Sequence, residues 1–320
     1  MTDEVLPLGE INDSMSDLTE EHNWRKQNKP LKKRRYRNAC PYFESTNINK
    51  YISLPIIPNG NICSNVYISP TVYIVTNTCG FDSICQIVAL SFCNNLSYKS
   101  QIIDSKIFEY INILITKGLV SQFYKERVKL LSKIPSIDTN NRMGIITING
   151  ATNIACLVAE LFEDTPSYIC KSICLKCSSS KTHRGVLLDI NFNEIQMKGL
   201  AGIQEAIDAA KYEPRVCCGV IPEKQIIYGP HLFIEVDDGS NKHQKLSNIS
   251  TILSLDNKNY MLAGVVTYQG STDGSSIGHY IAYYKSNRSW LKYDDMNRSH
   301  KHEVDAENDL VIHMCVYIKK

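Results

Sequence analysis

No apolar run in this sequence is long enough to cross a bilayer as a helix, and its first residues are polar and acidic rather than the basic and apolar stretch of a secretory signal. Both absences argue against a membrane-spanning or exported chain. Net charge is scarce as well: 35 Lys and Arg against 33 Asp and Glu leave +2. Beyond residue 45 the charges nearly cancel, which argues against a folded nucleic-acid binder. No internal repeat is visible. Cysteine, in contrast, is plentiful. Twelve cysteines without a secretory signal fit a reducing compartment, cytosol or nucleus, where thiols serve catalysis or metal binding rather than disulfides. The remaining composition, 43% hydrophobic and 21% charged over 320 residues, is that of a globular protein with room for a large core, in one big domain or two smaller ones.

Charge is segregated at the N-terminal end. Residues 1–21 hold seven acidic groups and no Lys or Arg, whereas "RKQNKPLKKRRYR" (25–37) holds eight basic groups and no acid. Such blocks favour disorder, so residues 1–45 are expected to be a disordered acidic-then-basic tail. The basic block reads as a nuclear import signal, a nucleic-acid contact or a plain solvated tail.

Further on, apolar residues at 81, 84, 85, 88 and 92 predict a helix from Cys79 to Asn94 with one buried face. Two more helical patterns follow, a long one within 102–134 and a shorter one at 151–163. After residue 185 the texture changes. "GVLLDI", "HLFIEV", "YMLAGVVTY", "HYIAYYK", "SWLKYDD" and "VIHMCVYIK" read as strands, interrupted by one short helix at 202–210. Helices first and strands later predict an α+β fold with an antiparallel, twisted sheet.

The chemistry concentrates at two places. In "TNTCGFDSICQIV" (76–88), Cys79 opens the predicted helix. There the positive end of the macrodipole is expected to depress the thiol's pKa, although a free cysteine is more commonly a buried core residue. The second place is the hairpin "GHYIAYY"–"SWLKYDD". If its loop is Ser286-Asn287, or residues 285–288, His279 and Asp294 become direct cross-strand neighbours, and a carboxylate there fixes the imidazole's tautomer. An ordinary surface His–Asp pair is the plainer alternative. Taken together, thiol, imidazole and carboxylate give the nucleophile–base–orienter arrangement of cysteine hydrolases.

"NTCGFDSICQIVAL" resembles the cysteine box of the ubiquitin-specific proteases, with Asn77, Thr78, Cys79, Ser83 and Gln86 at matching places. "GHYIAYYKSNRSWLKYDD" resembles the same family's histidine box through Gly278, His279, Tyr280, Tyr283, Trp290, Asp294 and Asp295. "PHLFIEV" (230–236) is similar to its proline-led strand, and Cys174 with Cys177 to half of its finger zinc ribbon. The resemblance implies a papain-like fold of helical thumb, antiparallel-sheet palm and short fingers, expected over residues 65–320. It implies Cys79 as nucleophile, His279 as general base and acid, Asp294 as orienter and Asp295 as a second aspartate ordering the site. The implied reaction is hydrolysis of the bond between the terminal glycine of ubiquitin and a substrate lysine, with no cofactor for the chemistry. Ubiquitin or ubiquitinated proteins are the implied partners.

Several positions depart from that pattern. The oxyanion-binding asparagine five places before the nucleophile is Ile74, the glycine before asparagine-threonine-cysteine is Thr76, and the arginine-phenylalanine after the proline-led strand is Asp238-Gly239. Asp82 stands where the family has asparagine, as in the branch that cleaves SUMO, so SUMO is an alternative partner, and an inactive ubiquitin-binding module is a third reading. With Ile74 offering no donor, the candidates to meet an oxyanion are the Cys79 backbone N–H and the Asn77 side chain, which is equally suited to capping the helix. For the fingers, the second ligand pair would be Cys217 and Cys218, which are adjacent and need a sharp turn at Gly219 to face one ion. Cys170 or His183 is a substitute ligand, and a metal-free finger is the alternative to zinc.

Overall fold

The short antiparallel pair β1 (Val66–Ile68) and β2 (Thr71–Thr76) leads directly into α1 (Cys79–Asn94). This arrangement is seen in a computed structural model that describes residues 54–320 apart from 102–104, 212–216, 238, 240–241, 271–277, 288 and 298–301. The expected tail 1–45, with its basic run, lies outside the described residues. The described chain begins upstream of the boundary expected at 65, with the segment that carries Asn59 and Asn61. No helix among the described residues is long and apolar enough to cross a membrane.

The helical part comes first: α1, α2 (Leu96–Gln101), α3 (Lys106–Lys117), α4 (Ser121–Leu131) and, beyond the hairpin β3 (Asp138–Arg142)–β4 (Ile145–Asn149), α5 (Ile154–Leu161). The single long helix expected within 102–134 is two. Gly118 ends α3 with φ 74° and its N–H on the Leu114 carbonyl at 3.0 Å, a left-handed stop that a residue with Cβ rarely adopts. The expectation of one buried face for α1 is also corrected. Cys79 through Ser91 are all buried, because α1 packs on sheet strands on one side and on α3 and α5 on others. A helix enclosed on all sides is core rather than amphipathic surface.

The described strands form three sheets. β2 pairs in parallel with β4, giving the order β1-β2-β4-β3, a mixed sheet unforeseen in the sequence. The fingers are a three-stranded sheet of β5 (Tyr168–Ile173) between β6 (Ser180–Gly185) and β7 (Glu223–Tyr228). Between these last two strands run α6 (Phe192–Lys198), not foreseen, and α7 (Ile203–Lys211), which is the helix expected at 202–210. Of the expected strand "GVLLDI", Gly185 ends β6 and Leu187 forms an isolated bridge to Phe233.

The palm is an antiparallel, eight-stranded sheet built from β8 (His231–Glu235), β9 (His243–Lys245), β10 (Ile252–Leu255), β11 (Lys258–Gln269), β12 (His279–Lys285), β13 (Trp290–Tyr293), β14 (His302–Val304) and β15 (Asp309–Lys319). Its buried face carries Val265, Ile281, Trp290, Cys315 and Tyr317, all at 2% exposure or less. In the β12–β13 hairpin the turn lies between Ser286 and Ser289, closed by the Ser286 N–H on the Ser289 carbonyl at 2.9 Å. Lys285 therefore pairs with Trp290 and Ala282 with Tyr293, two residues away from the expected register. His279 and Asp294 are not direct cross-strand neighbours. Because strand side chains alternate with period two, a two-residue displacement returns them to the same face as a diagonal pair.

Candidate active site

The turn between β2 and α1 sets the first wall of the site. Asn77 adopts φ 54°, a left-handed conformation asparagine tolerates better than most residues. The cap alternative for Asn77 is overturned: the N-cap residue of α1 is Thr78, and the Asn77 side chain makes no bond to the helix. Its Nδ2 donates instead to Asn149 Oδ1 at 2.9 Å, and its Oδ1 accepts from Asn61 Nδ2 at 3.0 Å. The upstream segment closes on the same turn, with the Asn77 N–H on Asn61 Oδ1 at 3.0 Å and the Gly60 N–H on the Thr78 hydroxyl at 2.8 Å.

Cys79 is the first residue of α1 and is 8% exposed. Burial pushes its thiol up to about 11, and the carboxylates of Asp295 and Asp82 add to the rise, while the Tyr280 and Gly80 backbone N–H groups oppose it. The expected depression by the helix terminus is thus overturned, since desolvation outweighs the backbone dipoles. The resting group is a thiol.

The opposite wall comes from the palm. His279, the first residue of β12, donates from Nε2 to Asp294 Oδ1 at 3.0 Å, and the same nitrogen lies 3.4 Å from Asp295 Oδ1. Burial works to raise the Asp294 carboxyl, but the hydrogen bond and charge of His279, with the Met296 N–H at 3.2 Å and Lys292 at 3.6 Å, hold it below its ordinary value. Asp295 is 4% exposed, its Oδ2 accepts from Asn59 Nδ2 at 2.7 Å, and burial pushes it up to about 8. Between the walls lies a cleft of about 670 Å³, lined among others by Asn61, Asn77, Cys79, Gly150, His279 and His313. The Tyr268 ring roofs Gly278, where any Cβ would stand 2.0 Å from its hydroxyl, so the cleft floor beside His279 is closed to a side chain. With Nε2 on Asp294, Nδ1 is the imidazole nitrogen left to face the thiol.

The family model for ubiquitin carboxyl-terminal hydrolase matches residues 15–311. The chain belongs to the ubiquitin carboxyl-terminal hydrolase family. Its α+β architecture of helical thumb, palm and fingers is that of this papain-like family. A 120.7 kDa protein in the NOF-FB transposable element of Drosophila melanogaster is 25% identical over 344 residues, covering 97% of this chain and 31% of that protein. The chain therefore spans about a third of the length of that relative, since the covered share is 31%. Among solved structures, the SAGA Ubp8/Sgf11/Sus1/Sgf73 DUB module matches at 14% identity, covering 88% of this chain and 72% of that one, with a TM-score of 0.43. The MERS coronavirus papain-like protease matches at 12% identity, covering 80% and 68%, with a TM-score of 0.42.

For a member of the ubiquitin carboxyl-terminal hydrolase family, the structure brings Cys79, His279, Asp294, Asp295 and Asn77 to one locus. It also adds residues that the sequence did not reveal: Asn59, Asn61, Asn149, Arg127 and His313. For Asn59 and Asn61 the only signal was the turn-rich "PNGN" at 58–61, which has no register with the cysteine box until the chain folds, and Asn149, Arg127 and His313 carried none.

The finger cysteines gather at one point as well. The Sγ atoms of Cys174, Cys177, Cys217 and Cys218 lie within 4.8 Å of one another, Cys177–Cys217 at 3.9 Å and Cys217–Cys218 at 3.8 Å. The sharp turn exists: Cys218 and Gly219 have φ 52° and 78°, inside mutual bonds between Cys217 and Val220. Tetrahedral thiolate ligation of zinc places sulfurs about 3.8 Å apart, so these donors fit that ion. Hydrogen bonds from Ser179 pull Cys177 down to about 6, while the Cys177 and Cys217 sulfurs push Cys218 up to about 12, a proton that a bound metal would displace. Cys170 and His183 face each other on β5 and β6 and are not in the cluster.

Proposed function

We propose that the chain is a thiol-dependent hydrolase acting on the bond between the C-terminal glycine of ubiquitin and a substrate lysine. The observation that carries this reading is the His279–Asp294 bond of 3.0 Å on one wall of the cleft whose other wall presents Cys79. His279 Nδ1 takes the thiol proton as Sγ attacks the glycine carbonyl, and Asp294 stabilises the imidazolium. The lysine amine leaves with that proton. Water, deprotonated by His279, then attacks the thioester and frees the glycine carboxylate. Asp295 accepts from Asn59 and keeps Asp294 and His279 in place. Donors available to the oxyanion are the Cys79 backbone N–H at the helix start and the Asn77–Asn61 amides on the same wall. A zinc ion held by the four finger cysteines would be structural and takes no part in these steps.

Covalent labelling by ubiquitin propargylamide tests the reading. Labelling is expected for the wild type, for Cys85→Ala and for Cys93→Ala, and is expected to vanish for Cys79→Ala. Labelling by a SUMO probe alone would move the chain to SUMO, and labelling by neither would leave a ubiquitin-binding module.

A further inference from the structure

Among the described residues, Arg127 on α4 is the one Lys or Arg side chain that is buried, at 1% exposure. A buried guanidinium is stable only against anionic or carbonyl partners. Its Nη1 donates to the Pro58 carbonyl at 2.7 Å and to Asp82 Oδ1 at 3.3 Å, and its guanidinium lies 5.3 Å from the Tyr124 ring. Both hydrogen-bond partners lead to the reacting groups. Pro58 precedes Asn59, which binds Asp295 twice, through Nδ2 at 2.7 Å and through its backbone N–H at 3.0 Å. Asp82 lies in the first turn of α1, one turn beyond Cys79, where it accepts from the Thr78 hydroxyl, and its charge acts on Asp295. Asp295 in turn lies 3.4 Å from His279 Nε2.

Two buried carboxylates and one guanidinium therefore lie under the thiol and the imidazole. Burial pushes Asp82 up to about 6, against the opposing charge of Arg127, and Asp295 up to about 8. Asp82, which faces Arg127, carries the charge more readily than Asp295, which has no guanidinium beside it among the described residues. The other titratable groups facing the guanidinium are Tyr110 on α3, whose hydroxyl burial holds well above its ordinary value, Tyr124 on α4 and Cys63 of the upstream segment. Arg127 does not line the cleft and cannot touch a substrate.

We propose that Arg127 is a positioning residue for the reaction: it cancels the charge of Asp82 and ties Pro58 to the first turn of α1, and so fixes where Cys79 and Asp295 stand relative to His279. This rests on the reading of Cys79 and His279 as the reacting pair. The test compares Arg127→Met, Asp82→Asn and the double variant in the full chain. One readout is kcat and KM on a fluorogenic ubiquitin C-terminal amide. The other is the pH profile of Cys79 alkylation by iodoacetamide, followed by peptide mapping, which needs no ubiquitin.

Arg127→Met is expected to lower kcat by about tenfold or more with KM within about threefold, since no substrate contact is lost. At the alkaline pH where the thiol ionises, Asp82 then carries an uncancelled charge, so the alkylation profile moves to higher pH. The double variant removes both charges but not the loss of the Pro58 tie, so kcat is expected to recover only in part while the alkylation profile returns to that of the wild type. A double variant no better than the worse single variant overturns the proposal. So does an Arg127→Met enzyme whose melting temperature falls while kcat and alkylation stay put. Should Arg127→Met fail to fold, Arg127→Gln replaces it: its amide can still donate to the Pro58 carbonyl but carries no charge to cancel that of Asp82, and unchanged kcat and alkylation overturn the proposal. If the wild type does not turn over the ubiquitin amide, the ubiquitin reading falls. The alkylation profiles then decide the role of Arg127 by themselves.

Discussion

Asn77 stands at the point where β2 turns into α1, and two properties of that position separate in a mutant. Its φ of 54° is a backbone demand, and its amide, bonded to Asn149 at 2.9 Å and Asn61 at 3.0 Å, is a chemical one. Asn77→Ala disturbs both, because a left-handed alanine costs about 1–2 kcal/mol. Asn77→Gly keeps the turn and removes only the amide. If that amide meets the oxyanion, Asn77→Gly should lower kcat by roughly 10²–10³ and leave the fold and ubiquitin binding intact. Near-normal turnover would assign the oxyanion to the Cys79 N–H and to Asn61. The companion substitution Ile74→Asn is expected to give no gain in kcat, because Ile74 is fixed in the β2–β4 parallel ladder opposite Thr147, while the cleft wall is already supplied from residues 59–61.

Among the elements, the fingers make a prediction that is independent of catalysis. Four sulfurs within 4.8 Å of one another, with Cys177 drawn down to about 6 and Cys218 pushed up to about 12 by its sulfur neighbours, make a site in which a bound ion would stabilise the charge of further thiolates. Elemental analysis of unchelated protein is expected to find about one zinc per chain. Replacing Cys174 and Cys177 together by Ser should remove it and lower the melting temperature, with Cys79 labelling retained. Protein that contains no zinc would leave the cluster as free thiols. The elements also show what the sequence could and could not disclose. The β12–β13 hairpin was legible in parity but not in register, because turn choice between 285 and 289 moves the pairing in steps that the alternating side chains do not report. α1 was legible in extent but not in surroundings: its apolar positions looked one-sided, and only the packing of α3, α5 and the palm buries the rest. The parallel β2–β4 pair and the Asn59–Asp295 contact are products of long sequence separation, for which a local pattern carries no signal.

On the scale of the whole molecule, helices and sheet meet at His231. Its ring is fully buried, with Nδ1 on the Tyr98 hydroxyl at 2.9 Å, Nε2 on the Thr165 carbonyl at 2.7 Å, and Phe108, Phe162 and Phe233 around it. These partners come from α2, α3, the end of α5 and β8, so this one imidazole joins the helical layer to the palm. Burial lowers it from 6.5 to about 4. The folded ring is therefore neutral where the unfolded ring is protonated, and unfolding takes up a proton between those two values. Its contribution to stability is fully present above pH 6.5 and is lost as pH falls toward 4, by on the order of 3 kcal/mol in all. Asp82 and Asp295 act with the opposite sign. Their folded values of about 6 and about 8 lie above the ordinary carboxylate, so the folded state holds the extra protons and gains stability as pH falls from 8 toward 4. The wild-type curve is the sum of these trends, and the difference between wild type and a variant isolates the histidine. His231→Gln keeps a donor and an acceptor in the cage but does not titrate. It should be less stable than wild type at pH 7.5, because the cage no longer fits its side chain, and the gap should close steadily as urea midpoints are followed down to pH 4.5. A gap that stays constant over that range would mean that His231 is not the neutral pin between helices and sheet.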